Sequence, residues 1–407
     1  MVDASSASGR RDREVELDVL RIAHGGVAVA ELGGRVVFVA DTLPGERVLA
    51  RITDDRHDRF WRAETLQVLE ASPDRVPHIW AAASLDRAPE QRAGGAEFGH
   101  IAPARQRALK GEVLRDALGR IGGLPEDRIA ALDPHVTAVP GRHDGLRSRT
   151  RVRLHVDRAG RVGPFAARSK RVVPVDDLPL AVAALEKLLP RQAKGRELDL
   201  VASSSGAFAA GRRDSRPPIV ERVGERQFRL EALGFWQVHP AAPAVLTEAV
   251  RRAVDPALLD ADADNLDLYG GVGLLAAALA GDTDVRVTTV ESDGAASAHA
   301  AANLADLPRA RAVEARVDAF LAAEQQARAG ATVLLDPPRS GAGREIVEAI
   351  VASRPAQIVY VACDPVALAR DLGTFAGHGW QAVTLDAFDL FPNTHHLEAV
   401  VRLVPAD

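Results

Sequence analysis

A lone cysteine and an aspartate stand where strands of a predicted sheet end. Cys363 is the only cysteine in the 407-residue chain and follows the apolar run 358–362. Asp336 follows the apolar run 333–335 and precedes two prolines, which cannot continue a strand ladder. In open α/β sheets, ligands bind at the carboxyl ends of the strands. A thiol at this edge is either a small core residue or a nucleophile, and its neighbours must decide between the two.

A glycine-rich turn after the predicted strand Asn265–Leu268 indicates a site for a nucleoside-containing cofactor. The turn spans 269–273 and opens a helix, and its glycines let the backbone approach a ligand closely. Glu291 ends the next predicted strand about 20 residues later, where a carboxylate can hydrogen-bond ribose hydroxyls. The pattern fits both NAD and S-adenosylmethionine, and a purely structural turn is the alternative.

These groups together fit one reaction, the methylation of carbon 5 of uracil. That carbon is a poor nucleophile until a thiolate adds to the neighbouring carbon 6. The proton on carbon 5 must then leave, which needs a general base such as a carboxylate. Cys363 would supply the thiolate, and Glu398, in the last predicted strand, would supply the base. The glycine turn and Glu291 would hold the methyl donor.

The chain resembles the family of RNA uracil-C5 methyltransferases, which form 5-methyluridine in ribosomal and transfer RNA. The resemblance covers most of the chain, and its motifs are highly specific together although each alone is weak to moderate. The motifs are Phe235–Val238, Asp267–Gly273, Asp336–Arg339, Cys363–Pro365 and Phe391–Glu398. The stretches His24–Ala28 and Val37–Glu46 are similar to the family's TRAM domain, an RNA-binding OB-like module.

The resemblance implies a role for each matching residue. Cys363 would be the nucleophile that adds to carbon 6, and Glu398 would be the base that acts on carbon 5. The cofactor would be S-adenosylmethionine, held by Gln237, Tyr269, Gly271, Glu291 and Asp336. Asp336 would also touch the target base. The partner would be RNA, and ribosomal RNA is favoured because relatives with a TRAM domain mostly act on it.

The chain departs from the family's pattern at several positions. Many relatives carry four cysteines that bind an iron–sulfur cluster, whereas the corresponding stretch 81–98 has no thiol. The sequence therefore predicts no iron–sulfur cluster and no metal site. His239 and Leu274 stand where relatives often have asparagine, so we expect a polar contact with the cofactor to differ there. Ala362 stands where serine is common, and no catalytic group is lost.

The element that must position these residues is a doubly wound, mostly parallel sheet. Strands alternate with alanine-rich helices after about residue 240, the pattern of a Rossmann-like α/β fold of the class I methyltransferase type. The predicted strands are Asn265–Leu268, Val285–Glu291, Ala331–Leu335, Gln357–Ala362, Gln381–Leu385 and His396–Leu403. Five short strands with glycine turns over 14–70 predict an N-terminal OB-like β-barrel.

A small α+β central domain is predicted between the barrel and the sheet. We expect strands over 149–156, 160–165, 198–202 and 226–230 and a helix over 178–190 there, and a separate helix over 104–121 that precedes them. With the resemblance, the chain divides into a TRAM barrel at 11–72, a central RNA-binding domain at 73–103 and 133–233, and a methyltransferase domain at 104–132 and 234–407.

Basic residues cluster in the strands over 147–171, and this cluster matches the family's central RNA-binding region. From the cluster alone, a solvated charged face is slightly favoured. The net charge of −5 argues against a protein that is basic all round, but not against a local RNA-binding surface. The first dozen residues are expected to form a disordered tail.

Composition limits the remaining classes. The chain is 47% hydrophobic and 26% charged, which is typical of a soluble globular protein. No run reaches the roughly 18 uncharged apolar residues of a spanning helix, and the N-terminus lacks the apolar core of a signal peptide. We therefore expect a cytoplasmic protein without a membrane partner, and a monomer.

Three other functions stay open on the sequence. The same chemistry could act on transfer RNA. The chain could instead methylate small molecules or amino groups, which needs no thiolate, or it could be an RNA-binding protein that has lost catalysis. The intact set of Cys363, Glu398 and Asp336 argues against a silent protein.

Overall fold

The computed structural model describes residues 13–167, 169–211, 217–281, 284–323 and 329–406. The predicted N-terminal tail and Arg168 of the basic cluster lie outside the described residues. The strands are β1 Glu14–Ala23, β2 Val27–Leu32, β3 Arg35–Ala40, β4 Arg47–Asp54, β5 Phe60–Glu70, β6 Val136–Thr137, β7 Arg151–Val156, β8 Val162–Gly163, β9 Glu197–Ser203, β10 Gly206–Gly211, β11 Ile219–Val223, β12 Arg226–Leu230, β13 Asn265–Leu268, β14 Val287–Glu291, β15 Ala310–Glu314, β16 Thr332–Leu335, β17 Gln357–Ala362, β18 Trp380–Phe388 and β19 Glu398–Pro405. The α-helices are α1 Pro103–Arg120, α2 Glu126–Leu132, α3 Ala183–Glu186, α4 Ala242–Ala253, α5 Leu274–Ala280, α6 Gly294–Asn303, α7 Val317–Ala323, α8 Arg344–Ala352 and α9 Pro365–Gly377.

The first five strands close into a barrel, which confirms the sequence prediction. They pair in the order β1-β2-β3-β5-β4, and β4 pairs back onto β1. Burial alternates along β4, where Val48, Ala50 and Ile52 lie in the barrel core and the residues between them are partly exposed. Side chains of a strand point alternately to its two faces, so one apolar stripe from each strand fills the interior.

Two small sheets form most of the region between the barrel and the large sheet. One has the order β10-β9-β7-β8, and the other pairs β11 with β12. The helix predicted over 178–190 is wrong for most of its length, since only α3 is helical. Ala181 forms a β-bridge with Arg149, and the N–H of Val182 donates to the carbonyl of Arg149 at 2.9 Å. The backbone of this segment is therefore already engaged in sheet-like pairing.

The large sheet has eight strands in the order β15-β14-β13-β16-β17-β19-β18-β6. β15 to β17 run parallel, β19 runs against its neighbours β17 and β18, and β6 is parallel to β18. The predicted doubly wound, mostly parallel sheet is confirmed. β15 escaped prediction because all its residues stay at least partly exposed at the sheet edge, so it lacks a buried apolar run.

Helices cover both faces of this sheet. On one face α1, α8 and α9 pack against Ile358, Tyr360 and Ala362 of β17. On the other face α4 and α5 pack against Val359 and Val361 of the same strand. The alternation buries both sides of β17 and fixes the position of its carboxyl end. No helix in the described part of the chain is both long and apolar enough to cross a membrane.

Candidate active site

The reversed direction of β19 brings the two predicted catalytic residues together. Cys363 follows the last residue of β17, and Glu398 is the first residue of β19. In the antiparallel pairing of these strands Ala362 lies opposite Ala399, so the next position along β17 lies opposite Glu398. Asp336 follows β16, the parallel neighbour of β17, at the same edge. Three residues far apart in sequence are therefore adjacent at one edge of the sheet.

The loop before β19 is held by side chains of α1. The amide of Gln106 donates to Oδ1 of Asn393 at 3.0 Å, and the N–H of Asn393 donates to Oε1 of Gln106 at 2.8 Å. Lys110 is buried in an ion pair with Asp389 and also donates to the carbonyl of Phe391 at 3.0 Å. These contacts fix the backbone on the way into β19 and so the position of Glu398.

A cavity of about 760 Å³ opens at this edge. Its lining includes each residue predicted for the site: Gln237, Tyr269, Gly271, Glu291, Asp336, Cys363 and Glu398. Leu274, one of the departures from the family pattern, also lines it, whereas His239 lines a neighbouring cavity. Phe235 lines the cavity and is 75% exposed, so an apolar ring stands beside its opening.

One end of the cavity is shaped by the glycine turn. Gly271 has a φ of +55°, and a Cβ on it would meet no atom within 4 Å, so the backbone here borders open space. Tyr269 has a φ of +62°, a conformation that is uncommon for a bulky residue and that often marks a functional site. Oε2 of Glu291 accepts a hydrogen bond from the N–H of Gly271 at 3.1 Å. The turn and the acid are therefore joined, and they suit the nucleoside part of S-adenosylmethionine.

Asp267 supports the glycine turn from below. Its Oδ2 accepts hydrogen bonds from the N–H of Ala276 and the hydroxyl of Thr289, both at 3.0 Å. A Cβ on Gly270 would come within 2.6 Å of Asp267 Oδ2 and closer still to Thr289, so only glycine fits there. Burial raises the pKa of Asp267 to about 7. Asp267 appears in the sequence motif, but its supporting role was not predicted.

Two carboxyl groups continue the cavity lining along the sheet edge, Asp336 after β16, next to the glycine turn, and Glu398 on β19, farther from it. Burial and the nearby charge of Asp336 raise the pKa of Glu398 well above its ordinary value, and Arg339 only partly opposes this. Burial and the charge of Asp267 raise the pKa of Asp336 to about 7. Neither Asp336 nor Glu398 has a side-chain hydrogen bond to any other described residue. The pair is therefore disposed to hold a proton near neutral pH.

Cys363 lines the same cavity as these carboxyls and is half-buried. Burial, followed by the charges of Glu398 and Asp336, raises the pKa of its thiol to about 12, while Arg339 acts in the opposite direction. The thiol is thus protonated in the free protein. A reacting partner that brings positive charge or removes a proton is needed before it becomes a thiolate.

The barrel reaches this site through the turn between β1 and β2. Nε2 of His24 donates a hydrogen bond to Oδ2 of Asp364, the residue after Cys363, at 2.9 Å. The other oxygen of Asp364 caps α9 by accepting from the N–H groups of Val366 and Ala367. Burial alone would raise the pKa of Asp364, but these hydrogen bonds hold it below its ordinary value. The sequence reasoning missed this contact, because nothing local links positions 24 and 364.

The predicted basic cluster is largely engaged in contacts within the chain. Arg149 donates to the carbonyl of Gly95 at 2.8 Å, and Arg151 donates to that of Gly234 at 2.7 Å. Arg147 and Arg153 form ion pairs with acidic neighbours. This part of the cluster serves the internal structure of the central region, and a free basic face is therefore smaller than the sequence suggests. In the described residues no group of three or more His, Cys, Asp or Glu side chains could hold a metal ion.

Comparison with known proteins agrees with the architecture of this site. The chain is 38% identical to a protein of Streptomyces avermitilis described as an uncharacterized RNA methyltransferase, over 97% of this chain and 98% of that protein. It is 31% identical to a 23S rRNA (uracil(1939)-C(5))-methyltransferase RlmD of Pseudomonas fluorescens, over 96% of this chain and 94% of that protein.

The fold is also that of a solved structure, the Pyrococcus abyssi tRNA (uracil-54, C5)-methyltransferase in complex with S-adenosyl-L-homocysteine. The TM-score is 0.67 at 20% identity, over 95% of this chain and all of that one. A family model described as tRNA (Uracil-5-)-methyltransferase matches residues 220–405, which include the glycine turn, Cys363 and Glu398. The chain belongs to the S-adenosylmethionine-dependent RNA uracil-C5 methyltransferase family.

Proposed function

We propose that this protein transfers a methyl group from S-adenosylmethionine to carbon 5 of a uridine in RNA, with large-subunit ribosomal RNA as the favoured substrate. The observation that carries the proposal is the meeting of Cys363, Glu398 and Asp336 in one cavity that the glycine turn also lines. Ribosomal RNA is favoured by the relative from Pseudomonas fluorescens, which is named for it and which the chain matches along nearly its whole length.

Cys363 opens the reaction by adding to carbon 6 of the uracil ring. Its thiol must first lose a proton. With both acids ionised beside the positively charged donor, Asp336 takes that proton, and Glu398 stays a carboxylate for the later step. Bound S-adenosylmethionine supplies the methyl group, and its positive sulfonium favours anionic groups around it. Addition at carbon 6 leaves carbon 5 enolate-like, so carbon 5 can attack the methyl group.

Glu398 completes the reaction as the general base. It takes the proton from carbon 5 of the methylated adduct, and the electron pair of that bond forms the carbon 5–carbon 6 double bond. The bond from carbon 6 to Cys363 breaks, and the thiolate leaves. The products are 5-methyluridine and S-adenosylhomocysteine, whose sulfur keeps the electron pair of the broken bond to the methyl group. The regenerated thiolate recovers its proton from Asp336, and Glu398 releases the carbon 5 proton to solvent. A raised pKa of Glu398 suits this step, because a more basic carboxylate removes a carbon-bound proton more readily.

The remaining site residues would bind and orient the two substrates. We assign Gly271, Glu291, Tyr269 and Gln237 to the methyl donor, and Asp336 to both the donor and the target base. The uracil must leave its stack to enter the cavity, and the exposed ring of Phe235 is placed to stack on it or on a neighbour. The barrel (11–72) and the central region (73–103 and 133–233) would bind the surrounding RNA.

The test is nucleoside mass spectrometry of RNA incubated with the protein and isotope-labelled donor. Transcripts of large-subunit ribosomal RNA and of transfer RNA carry no modification and serve as parallel substrates. We expect labelled 5-methyluridine in the ribosomal transcript. Label in the transfer RNA alone would mean that the substrate is transfer RNA, the class named in the family model and in the Pyrococcus abyssi structure. Absence of labelled 5-methyluridine from both would overturn the proposal.

A further inference from the structure

A second cavity, of about 880 Å³, lies beside the catalytic one at the same edge of the large sheet. The loop 138–148, which follows β6, forms most of its lining. β6 and β18 run in the same direction as β17, so their carboxyl ends share the edge where Cys363 lies. Two short segments separate the cavities, since Val238 and Phe391 line the catalytic one and the next residues, His239 and Pro392, line the other.

The lining of this second cavity carries an excess of positive charge. Arg107, on α1, is partly buried and has no ion pair or side-chain hydrogen bond with the described residues. Arg142 also lines the cavity, where Asp144 binds it at 2.7 Å. The other acid in the lining, Asp389, is already paired with Lys110. The unpaired guanidinium of Arg107 is thus available to an anionic ligand such as a phosphate.

Two hydrogen-bond donors in the lining also lack partners. Ser148 is 5% exposed, and its hydroxyl has no hydrogen-bond partner among the described residues. Nδ1 of His239 accepts a hydrogen bond from the N–H of Ala241 at 3.1 Å, so a neutral ring carries its proton on Nε2 and can donate there. Burial lowers the pKa of His239, which favours that neutral ring. Buried polar groups are almost always paired, so an unpaired hydroxyl that lines a cavity is available to hydrogen-bond a ligand there.

We propose that this cavity binds a nucleotide that flanks the target uridine in the RNA, with its phosphate on Arg107 and its base or ribose on Ser148 and His239. The inference rests on the proposed function, because a uridine that leaves its stack also frees its neighbours along the strand. The volume falls in the range of about 300 to 1,000 Å³ that is usual for small-molecule sites. Because neighbouring residues line the two cavities, they are close enough for one short stretch of RNA to reach both.

The first test reverses one charge in the cavity and the same charge elsewhere on the same helix. Arg107→Glu places a carboxylate in the second cavity. Arg120→Glu is the matched control, because Arg120 ends α1, is exposed and, among the described residues, forms an ion pair with Asp116 alone. We expect Arg107→Glu to weaken binding of the ribosomal transcript about ten-fold and to reduce its salt dependence by about one phosphate contact.

Arg120→Glu should change RNA binding less than about two-fold. Both variants should bind S-adenosylmethionine as the wild type does, which shows that they are folded. Equal effects of the two variants on RNA binding would overturn the inference. The measurement reads RNA affinity, so a wild type that binds RNA but forms no 5-methyluridine would refute the proposed function without deciding this one.

The second test locates the nucleotide directly. An oligoribonucleotide that contains the methylated site and carries 4-thiouridine next to the target uridine is irradiated with the protein. We expect the cross-linked peptide to fall within 138–148, and Arg107→Glu to reduce its yield. Cross-links confined to peptides that contain no residue of this cavity would overturn the inference. Hydrogen exchange of peptide 138–148 gives a further readout. If free uridine monophosphate slows this exchange and the oligoribonucleotide does not, the inference is overturned and the cavity is a site for free nucleotides.

Discussion

The two ends of the catalytic cavity differ in how their polar groups are paired. At the glycine-turn end, the carboxylate of Glu291 accepts hydrogen bonds from Gly271, Ser292 and Asp293. At the acid end, on the side of β16 to β19, Asp336 and Glu398 have no side-chain hydrogen bonds to other described residues, and the pKa of each is raised. The carboxylate at the glycine-turn end is held by hydrogen bonds within the chain. The two carboxyl groups at the acid end have no such bonds and are available to the substrate.

This difference matches the two tasks proposed for the cavity. A binding surface works best when its groups are already oriented, because little ordering is then needed on association. Groups that exchange protons with a substrate need a displaced pKa, and burial beside a like charge provides it. The comparison predicts that substitutions at the glycine-turn end act on donor binding, and substitutions at the acid end act on the chemical step.

The largest effect should come from the acid end. Cys363→Ala should reduce 5-methyluridine formation to background, because no other described side chain in the cavity is a thiol. Binding of S-adenosylmethionine, measured by calorimetry, should stay within about two-fold of the wild type. Ala362→Ser, one residue away, is the control and should remain active. An active Cys363→Ala protein would break the comparison and favour a methyltransferase that needs no nucleophile.

Asp336→Asn should slow methyl transfer by about 10² and at the same time stabilise the free protein at pH 8. The folded-state pKa of Asp336 is raised to about 7, so ionising it costs the folded state stability as the pH rises from about 4 to 7. Asparagine has no such cost. At about 1.4 kcal/mol for each pKa unit, the free energy of unfolding should therefore rise by up to about 4 kcal/mol at pH 8 and change little at pH 4. Urea titrations at both pH values measure this, and a destabilised Asp336→Asn protein at pH 8 would contradict the account.

At the glycine-turn end, Glu291→Ala should weaken donor binding about ten-fold, since it removes a charged acceptor from Gly271 and from the donor. The rate of the chemical step at saturating donor should fall much less. Glu291→Gln keeps an acceptor oxygen, so its affinity for the donor should lie between those of the wild type and Glu291→Ala. Single-turnover kinetics at several donor concentrations separate the two effects. If Glu291→Ala lowered only the rate at saturating donor, the glycine-turn end would act on the chemical step, and the comparison would fail.

The smallest effect is expected at the contact with the barrel. His24→Ala removes the hydrogen bond to Asp364 and should slow the saturated single-turnover rate about three- to five-fold, since half-exposed ion pairs contribute little. His24→Gln can place an amide where Nε2 lies and should recover most of the loss. His57→Ala is the control, because His57 belongs to the barrel but stacks on Phe60 instead. Equal rates for His24→Ala and His57→Ala would rule out a positioning role for His24.

The sequence predicts much of the fold, because its signals are local. The barrel follows from alternating strands with glycine turns, and the large sheet follows from apolar runs such as 333–335 and 358–362. The gathering of the predicted site residues in one cavity was also expected, since strand ends share an edge. β15 was missed because it lacks a buried run, and the helix over 178–190 was overestimated because its backbone pairs with Arg149.

What the sequence could not predict depends on long-range contacts. The pairing of His24 with Asp364 joins the barrel to the cysteine loop across most of the chain. Arg149 and Arg151, which the sequence placed in a possible RNA-binding surface, instead donate hydrogen bonds to backbone carbonyls within the chain. The raised pKa values of Asp336 and Glu398 arise from burial and from a nearby carboxylate, Asp267 for Asp336 and Asp336 for Glu398, which no local pattern encodes.

The central claim is that Cys363 and Glu398 act in turn on the two adjacent carbons of one uracil. Glu398→Gln tests it most directly, because glutamine cannot remove the carbon 5 proton and the thiol would stay attached to carbon 6. Incubated with S-adenosylmethionine and the RNA substrate, this variant should form a protein–RNA band that survives a denaturing gel. The band should disappear in the Cys363→Ala, Glu398→Gln double variant. Free RNA alone, from a Glu398→Gln protein that binds both substrates, would contradict the assignment of the base.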